Sequence, residues 1–253
     1  AVPLNLIGRT GKADYAVSGQ FSGKAFKEAQ KMGYDVKCIA TTKDDNFDHV
    51  PTITRDMIRP DAAYLHICFN NTIYGTKFNY IPDTGDIPLV ADMSSCIISE
   101  PVDVSKFGVI YAGAQKNMAP AGLTVVIVRE DLLGKARPET PVMLDWKTMA
   151  DNDSMYNTPP CYAIYMAKLV YEWILDMGGL DAIVFTAGIG ENQDRLRAEL
   201  LEGLAYLGVK LDAEANNVRG QEREITTADS TVRAFIIPTN EELVIARDTK
   251  DLI

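Results

Sequence analysis

The sequence predicts an α/β protein with a mostly parallel sheet, followed by a smaller α/β segment. Three observations predict it. Short apolar runs alternate with helical periodicity along the chain, several of these runs are nearly continuous Val, Ile, Ala and Leu, and the pattern restarts after Gly178-Gly179. Continuous apolar runs suit strands covered by helices on both faces of a sheet.

Six runs, at residues 13–18, 36–40, 63–69, 87–92, 108–112 and 123–129, are the expected strands of the first segment. Residues 25–32 read as a helix. Residues 162–175 read as a longer one that offers Ile164, Leu169, Val170, Trp173 and Ile174 to a core, with Pro159 and Pro160 marking its start. After the Gly178-Gly179 pair, a strand at 182–185, a glycine-containing turn and a helix carrying Leu196, Leu200, Leu204 and Leu207 form a second βα unit. Strands near Ile225 and at 232–237 precede a closing helix at 241–251, announced by Pro238-Thr239-Asn240. Acidic residues are denser after Gly178, and the domain boundary is expected there, giving domains 1–177 and 178–253.

The chain has 253 residues, 47% of them hydrophobic and 24% charged, which is globular composition with length for one large or two ordinary domains. A formal charge of −10 and a pI near 4.7 argue against a nucleic-acid backbone or an anionic membrane surface as main partner, because both attract basic patches. A small-molecule substrate fits that balance. Cys38, Cys68, Cys96 and Cys161 form no C-x-x-C pair and are expected as buried free thiols in a reducing compartment. With His49 and His66 as the two histidines, a His-rich zinc site is nearly excluded and a Ser-His-Asp arrangement has little to draw on. No stretch approaches 18 apolar residues and no basic n-region opens the chain, so a cytoplasmic location is expected.

Three motifs stand at expected strand ends: Asn70-Asn71-Thr72, Ala91-Asp92-Met93-Ser94-Ser95 and Gly113-Ala114-Gln115-Lys116-Asn117. Carboxyl ends of parallel strands are where open α/β sheets bind ligands. A carboxylate and a lysine on neighbouring strand ends can serve two ends of one cofactor, Asp92 as partner of a pyridinium nitrogen and Lys116 as Schiff-base amine. Either residue is equally at home as a solvated loop side chain, and spacing alone does not decide.

Ala-Asp-Met-Ser-Ser from Ala91, the run from Asp103 through Gly-Ala-Gln-Lys-Asn at Asn117, and Tyr-Asn-Thr-Pro-Pro from Tyr156 closely resemble the phosphoserine aminotransferases, from about Val2 to Asp176. The resemblance implies the type I fold of pyridoxal-phosphate enzymes, with transamination between 3-phosphohydroxypyruvate and glutamate in serine biosynthesis. It implies that Lys116 joins the aldehyde of pyridoxal 5'-phosphate, that Asp92 partners the ring nitrogen, and that Thr72 and Gln115 contact the cofactor. It further implies a homodimer in which Asn157 and Thr158 reach the neighbouring subunit's cofactor phosphate. The family's ring-stacking position is commonly Trp; here Ser18-Gly19-Gln20 leads to Phe21, which stacks without an indole N–H. Ala119 stands where the family usually has Gly before Pro120, and a positive φ there would strain it. The family's glycine-rich phosphate turn and its C-terminal small domain with a substrate arginine have no counterpart in this sequence, which implies weaker phosphate binding.

From Gly178 the sequence resembles another family. Gly-Gly-Leu-Asp-Ala-Ile-Val-Phe-Thr-Ala-Gly-Ile-Gly-Glu-Asn, Val-Arg-Gly-Gln-Glu from Val218 and Ile-Pro-Thr-Asn-Glu-Glu-Leu from Ile237 are similar to the C-terminal end of acetate kinases, which have an actin-like ATPase fold. That resemblance implies ATP near Gly188, Gly190, Glu191 and Asn192, and magnesium assisted by Glu241. A glycine pair between strand and helix would allow close backbone approach beside a positive helix terminus. An ordinary βα turn reads the same way. Three functions are therefore carried forward: a pyridoxal-phosphate aminotransferase, an ATP-dependent acetate or acyl phosphotransferase, and a non-catalytic mosaic of the two.

Overall fold

The computed structural model describes residues 1–177 and 180–251, so the expected boundary at Gly178 lies outside the described residues. The chain divides into two compact units, Ala1–Glu172 and Trp173–Ile253.

The first unit opens with one helical turn, α1 (Val2–Leu6), with proline in its first turn, where a missing N–H costs nothing. Then come β1 (Lys12–Val17), α2 (Gln20–Lys31), β2 (Asp35–Thr41), β3 (Leu65–Cys68) and a two-stranded hairpin, β4 (Asn70–Asn71) with β5 (Thr76–Lys77). Strands β6 (Leu89–Asp92), β7 (Val109–Gly113) and β8 (Thr124–Val128) follow, then α3 (Trp146–Asp151) and α4 (Cys161–Met177), which extends past the end of the unit.

Six strands form one sheet in the order β2-β1-β3-β6-β7-β8, parallel except for the antiparallel β7–β8 pair. The chain steps from β1 outward to β2, then crosses back to place β3 on the other side of β1. That reversal lies between β1 and β3, and the carboxyl ends of the strands around it are where an open sheet leaves a binding crevice. Both faces of the central strands β1, β3, β6 and β7 are largely buried, whereas the edge strands β2 and β8 are more exposed. Ala16, Leu65, Ile67, Leu89, Ala91 and Ile110 point one way; Ala13, Tyr15, Val90 and Val109 point the other. Two-sided burial is why these strands lack polar alternation. Asp14 joins that interior with no exposed side chain, because Arg59 donates to it from both backbone N and Nε at 2.7 Å each.

Three expectations need correction here. The helix expected at 25–32 begins at Gln20, where the Ser22 hydroxyl accepts from the N–H groups of Ser18 and Gly19 at 3.0 Å each and so fixes the first turn. On α4 the buried positions are Ala163 and Ala167, whereas Ile164, Leu169, Trp173 and Ile174 are exposed, and Tyr171 is the large side chain that packs against the Ala112, Ala114 and Met118 cluster. Ala119 is not among the residues with positive φ, so it carries no left-handed strain.

The second unit holds β9 (Ala182–Phe185), α5 (Ala187–Asn192), α6 (Asp194–Gly203), α7 (Ala213–Asn216), β10 (Arg223–Glu224), β11 (Arg233–Ile236) and α8 (Glu241–Asp251). Its sheet runs β10-β11-β9, with β11 parallel to β9, over a core of Leu201, Val209, Ile225, Val232, Ala234 and Ile236. The glycine turn expected after β9 is instead the helix α5, and the bend falls on Ala187 at φ 59°. On α6, Leu196 and Leu200 are exposed, and Arg197 and Leu201 take the buried stripe. A buried arginine is tolerated because backbone carbonyls and an amide satisfy it: Nη1 donates to Gly190 O (2.8 Å), Nη2 to Asn216 O (2.8 Å) and Val218 O (2.9 Å), and Nε to Asn216 Oδ1 (2.8 Å).

Candidate active site

Four strand ends supply the expected cofactor residues of the first unit. Phe21 lies in the first turn of α2 after β1, Thr72 in the β4–β5 turn after β3, Asp92 at the last position of β6, and Gln115 and Lys116 just after β7. The Lys116 amine donates to Thr72 Oγ1 at 2.6 Å and stands 5.4 Å from the centre of the Phe21 ring. The site is an open surface, with Thr72, Gln115 and Lys116 exposed and Phe21 44% exposed. Such openness leaves room for a planar ring against Phe21.

Asp92 sits across from Cys68 on β3 and Tyr111 on β7. Its Oδ1 accepts from Ser94 N (3.0 Å) and Ser94 Oγ (2.6 Å), and its Oδ2 receives a long contact from the Cys68 thiol at 3.8 Å. One carboxylate oxygen is thus held and the other is left for a further donor. Burial pushes the Cys68 thiol well up, Asp92 adds to that, and Lys116 acts the other way, so both charged groups are felt at one buried sulfur. The thiol therefore stays protonated and faces Asp92 as a donor.

Ser94 is a site residue the sequence reading quoted but gave no task. Its hydroxyl donates to Asp92 and accepts from Gly113 N at 3.0 Å, tying the ends of β6 and β7. The signal was the Asp-x-Ser spacing, which favours a turn closed by side chain to backbone bonds. Nearby, Ser18 Oγ donates to Asn71 Oδ1 at 3.2 Å, and Asn117 Nδ2 to Ile97 O at 3.0 Å. Gly113 matters for Gln115: a Cβ there would meet Gln115 Oε1 at 2.6 Å, so that side chain folds back over the glycine. Asn157 and Thr158 lie exposed between α3 and α4, and no hydrogen bond joins them to the Lys116 group among the described residues.

The nucleotide positions inferred for the tail are arranged differently from that expectation. Gly188 and Gly190 lie inside α5, and a Cβ on Gly190 would stand 3.2 Å from the Phe185 carbonyl carbon, so this glycine permits helix-to-strand packing. Asn192 Nδ2 donates to Gly188 O at 2.9 Å, and Glu191 accepts from Thr239 N and Oγ1 at 2.8 Å each. Those bonds hold the Glu191 carboxyl below its ordinary range and occupy both residues within the protein. Glu241 begins α8, and its side chain lies outside the described residues. Among the described residues, no three acidic, thiol or imidazole groups gather as a metal would need.

Residues 2–218 match the family model of the class-V aminotransferases. The chain belongs to that family. The match extends past Gly178, beyond the point where the sequence motifs turn toward acetate kinases. A phosphoserine aminotransferase of Paraburkholderia phymatum is 52% identical over 182 residues, which is 72% of this chain and 51% of the relative. One from Nitrosomonas europaea is 56% identical over 190 residues, again 72% of this chain and 51% of the relative. The chain thus spans about half the length of the curated relatives it matches. Among solved structures, the phosphoserine aminotransferase of Bacillus circulans subsp. alkalophilus is 36% identical with a TM-score of 0.68, covering 98% of this chain and 66% of that one. This class-V chain therefore has the mostly parallel sheet of fold type I aminotransferases. An acetate kinase of Porphyromonas gingivalis is 30% identical over 43% of this chain and 28% of its own, at a TM-score of 0.28 that carries no argument.

Proposed function

We propose that this chain is the cofactor-lysine region of a pyridoxal-phosphate-dependent phosphoserine aminotransferase, a cytoplasmic homodimer moving an amino group between glutamate and 3-phosphohydroxypyruvate. The observation that carries the reading is the Lys116 amine held against Thr72 and the face of Phe21, with the Asp92 carboxylate at the end of the adjacent strand. Family membership and the names of the relatives support it. No helix is long and apolar enough to cross a membrane among the described residues, and the four cysteines are free, Cys68 and Cys96 buried as expected but Cys38 half-buried and Cys161 exposed.

The residues fit the ring of pyridoxal phosphate: an aromatic face is open to stack, and Asp92 Oδ2 has room for a cationic donor. Bound there, the group supplies an aldehyde for an amine and a ring that withdraws electrons. Phe21 covers one ring face against water. Asp92, oriented by Ser94, accepts from the ring nitrogen. Thr72 holds the Lys116 amine in place, and that amine carries the proton moved between the substrate and Nζ. Gln115 would contact the cofactor when it is bound, and Asn157 and Thr158 of a second copy would hold its phosphate.

Titration with pyridoxal phosphate followed by borohydride reduction and peptide mass analysis tests the reading. The expected result is a visible absorption band and a mass adduct on Lys116, both lost in Lys116→Ala, with Asp92→Asn costing more in turnover than in binding. An adduct spread over surface lysines, with Lys116 unmodified, rules the site out. Nothing seen in the second unit favours acyl phosphotransfer. Magnesium- and Glu241-dependent formation of acetyl phosphate from acetate and ATP would reverse that ranking, and a chain that binds neither ligand is the non-catalytic mosaic.

A further inference from the structure

His66 is 1% exposed, lies on β3 away from the Lys116 amine, and has an Nδ1 with no hydrogen-bond partner. Its Nε2 is 2.9 Å from the Tyr111 hydroxyl, and its ring stacks on Tyr15 at 5.0 Å. Strand registry places Tyr15 beside His66, and Tyr111 beside Asp92, so all four side chains share one face of the sheet. Tyr111 is the link, in contact with His66 and level with Asp92.

One proton arrangement fits these contacts better than the other. If the Tyr111 hydroxyl donated to Nε2, the imidazole proton would sit on Nδ1 as a buried N–H with no acceptor, which is the rarer kind of orphan. If Nε2–H donates to the Tyr111 oxygen, Nδ1 is left with only a bare lone pair, and the phenol proton is free. The other groups around His66 do not change this. Tyr15 bonds Tyr64 hydroxyl to hydroxyl at 2.6 Å, the Cys68 thiol donates to Asp92, and Glu28 of α2 and the Ala1 amino group, which burial lowers, border the same cavity as His66 without a hydrogen bond to Nδ1. That thiol reaches Asp92 Oδ2 at 3.8 Å, and Tyr111 stands close enough for the carboxylate to act on its phenol.

We propose that His66 and Tyr111 are positioning residues for Asp92: neutral His66 donates from Nε2 to the Tyr111 oxygen, and Tyr111 turns its proton onto the Asp92 carboxylate. Asp92 is then gripped by Ser94 on one side and Tyr111 on the other, leaving the remaining Oδ2 direction for a cation. Burial keeps the imidazole neutral, lowering His66 to about 4 against the pull of Asp92, and it raises the Tyr111 phenol, with Asp92 adding to the rise. The inference rests on the cofactor reading only for what Asp92 is held toward.

Nitrogen-15 spectra of the imidazoles in the cofactor-free chain test the arrangement directly, with exposed His49 as the internal reference. His66 should show the Nε2–H tautomer and stay neutral down to about pH 4. An Nδ1–H tautomer, or protonation of His66 well above pH 4, overturns the proposal. In the loaded protein, Tyr111→Phe and His66→Leu should each weaken cofactor binding about tenfold, as loss of one hydrogen bond to a charged group does, and shift the pH dependence of the absorption band. His66→Gln keeps a donor at the Nε2 position and should restore both. Equal losses in His66→Leu and His66→Gln, with folding unchanged, would show that only packing is at work. If wild type binds no cofactor, the cofactor reading fails, and the tautomer still decides the proton arrangement.

Discussion

Replacing Ser94 by alanine removes one hydroxyl with two bonds, a donation to Asp92 Oδ1 at 2.6 Å and an acceptance from Gly113 N at 3.0 Å. A hydrogen bond to a charged group is worth about 1.5–3 kcal/mol, and a backbone N–H left without a partner costs about 1–3 kcal/mol. Ser94 is only half-buried, so water recovers part of both. The expected loss of stability is about 2–3 kcal/mol, or about 5–10 °C in midpoint for a unit of this size. Ser105 is a matched control, since its hydroxyl and N–H bind Asp103 Oδ1 in the same i to i+2 pattern on an exposed turn. Ser105→Ala should cost under about 1 kcal/mol, because the turn is solvated and no second strand depends on it. Urea unfolding followed by Trp146 fluorescence reads the first unit, Trp146 being 8% exposed in its core, and Trp173→Phe removes the other tryptophan's signal. Equal losses in the two serine variants would refute the claim that the hydroxyl tying β6 to β7 stabilises the sheet end.

His66 makes stability depend on pH. Its folded value is depressed from 6.5 to about 4, so the folded chain takes up the proton less readily than the unfolded one. Its contribution is complete above about pH 6.5 and is lost as pH falls toward 4, on the order of 3 kcal/mol in all; urea midpoints across that window should fall, and fall less in His66→Gln. Gly113→Ala should displace the Gln115 side chain, whose flexible end yields easily, so cofactor affinity measured by titration should drop several-fold, by about 1 kcal/mol or more, while unfolding midpoints hardly move. Arg197→Leu takes the guanidinium from the Gly190 and Val218 carbonyls and the Asn216 amide oxygen and leaves Asn216 O with its bond from Val218 N alone, and hydrogen-exchange protection across residues 187–220 should collapse while that of the large sheet stays intact.

Much of this protein is determined along the sequence itself. Strands buried on both faces must be apolar throughout, so β1, β3, β6 and β7 announce themselves in runs such as Ala63 to Phe69 and Gly108 to Ala112. Lys116, Asp92 and Thr72 were legible because each stands in a short motif just past such a run, and the length of those motifs carried the family resemblance. The antiparallel direction of β8 was not legible, because an apolar run has no polarity and pairing is chosen by the connection before it. Neither was the buried stripe of α6, where periodicity favours Leu200 but the carbonyls of Gly190, Asn216 and Val218 draw Arg197 inward. The glycine pair near Gly188 reads the same in a turn and in a helix, and in α5 the Asn192 and Arg197 side chains add bonds to its carbonyls. Only the Ser94 part of the grip on Asp92 is local in sequence. Ser94 is two residues away in sequence, but Cys68, Tyr111 and, through it, His66 come from two other strands, and side chains reach across a sheet only once register has set them level.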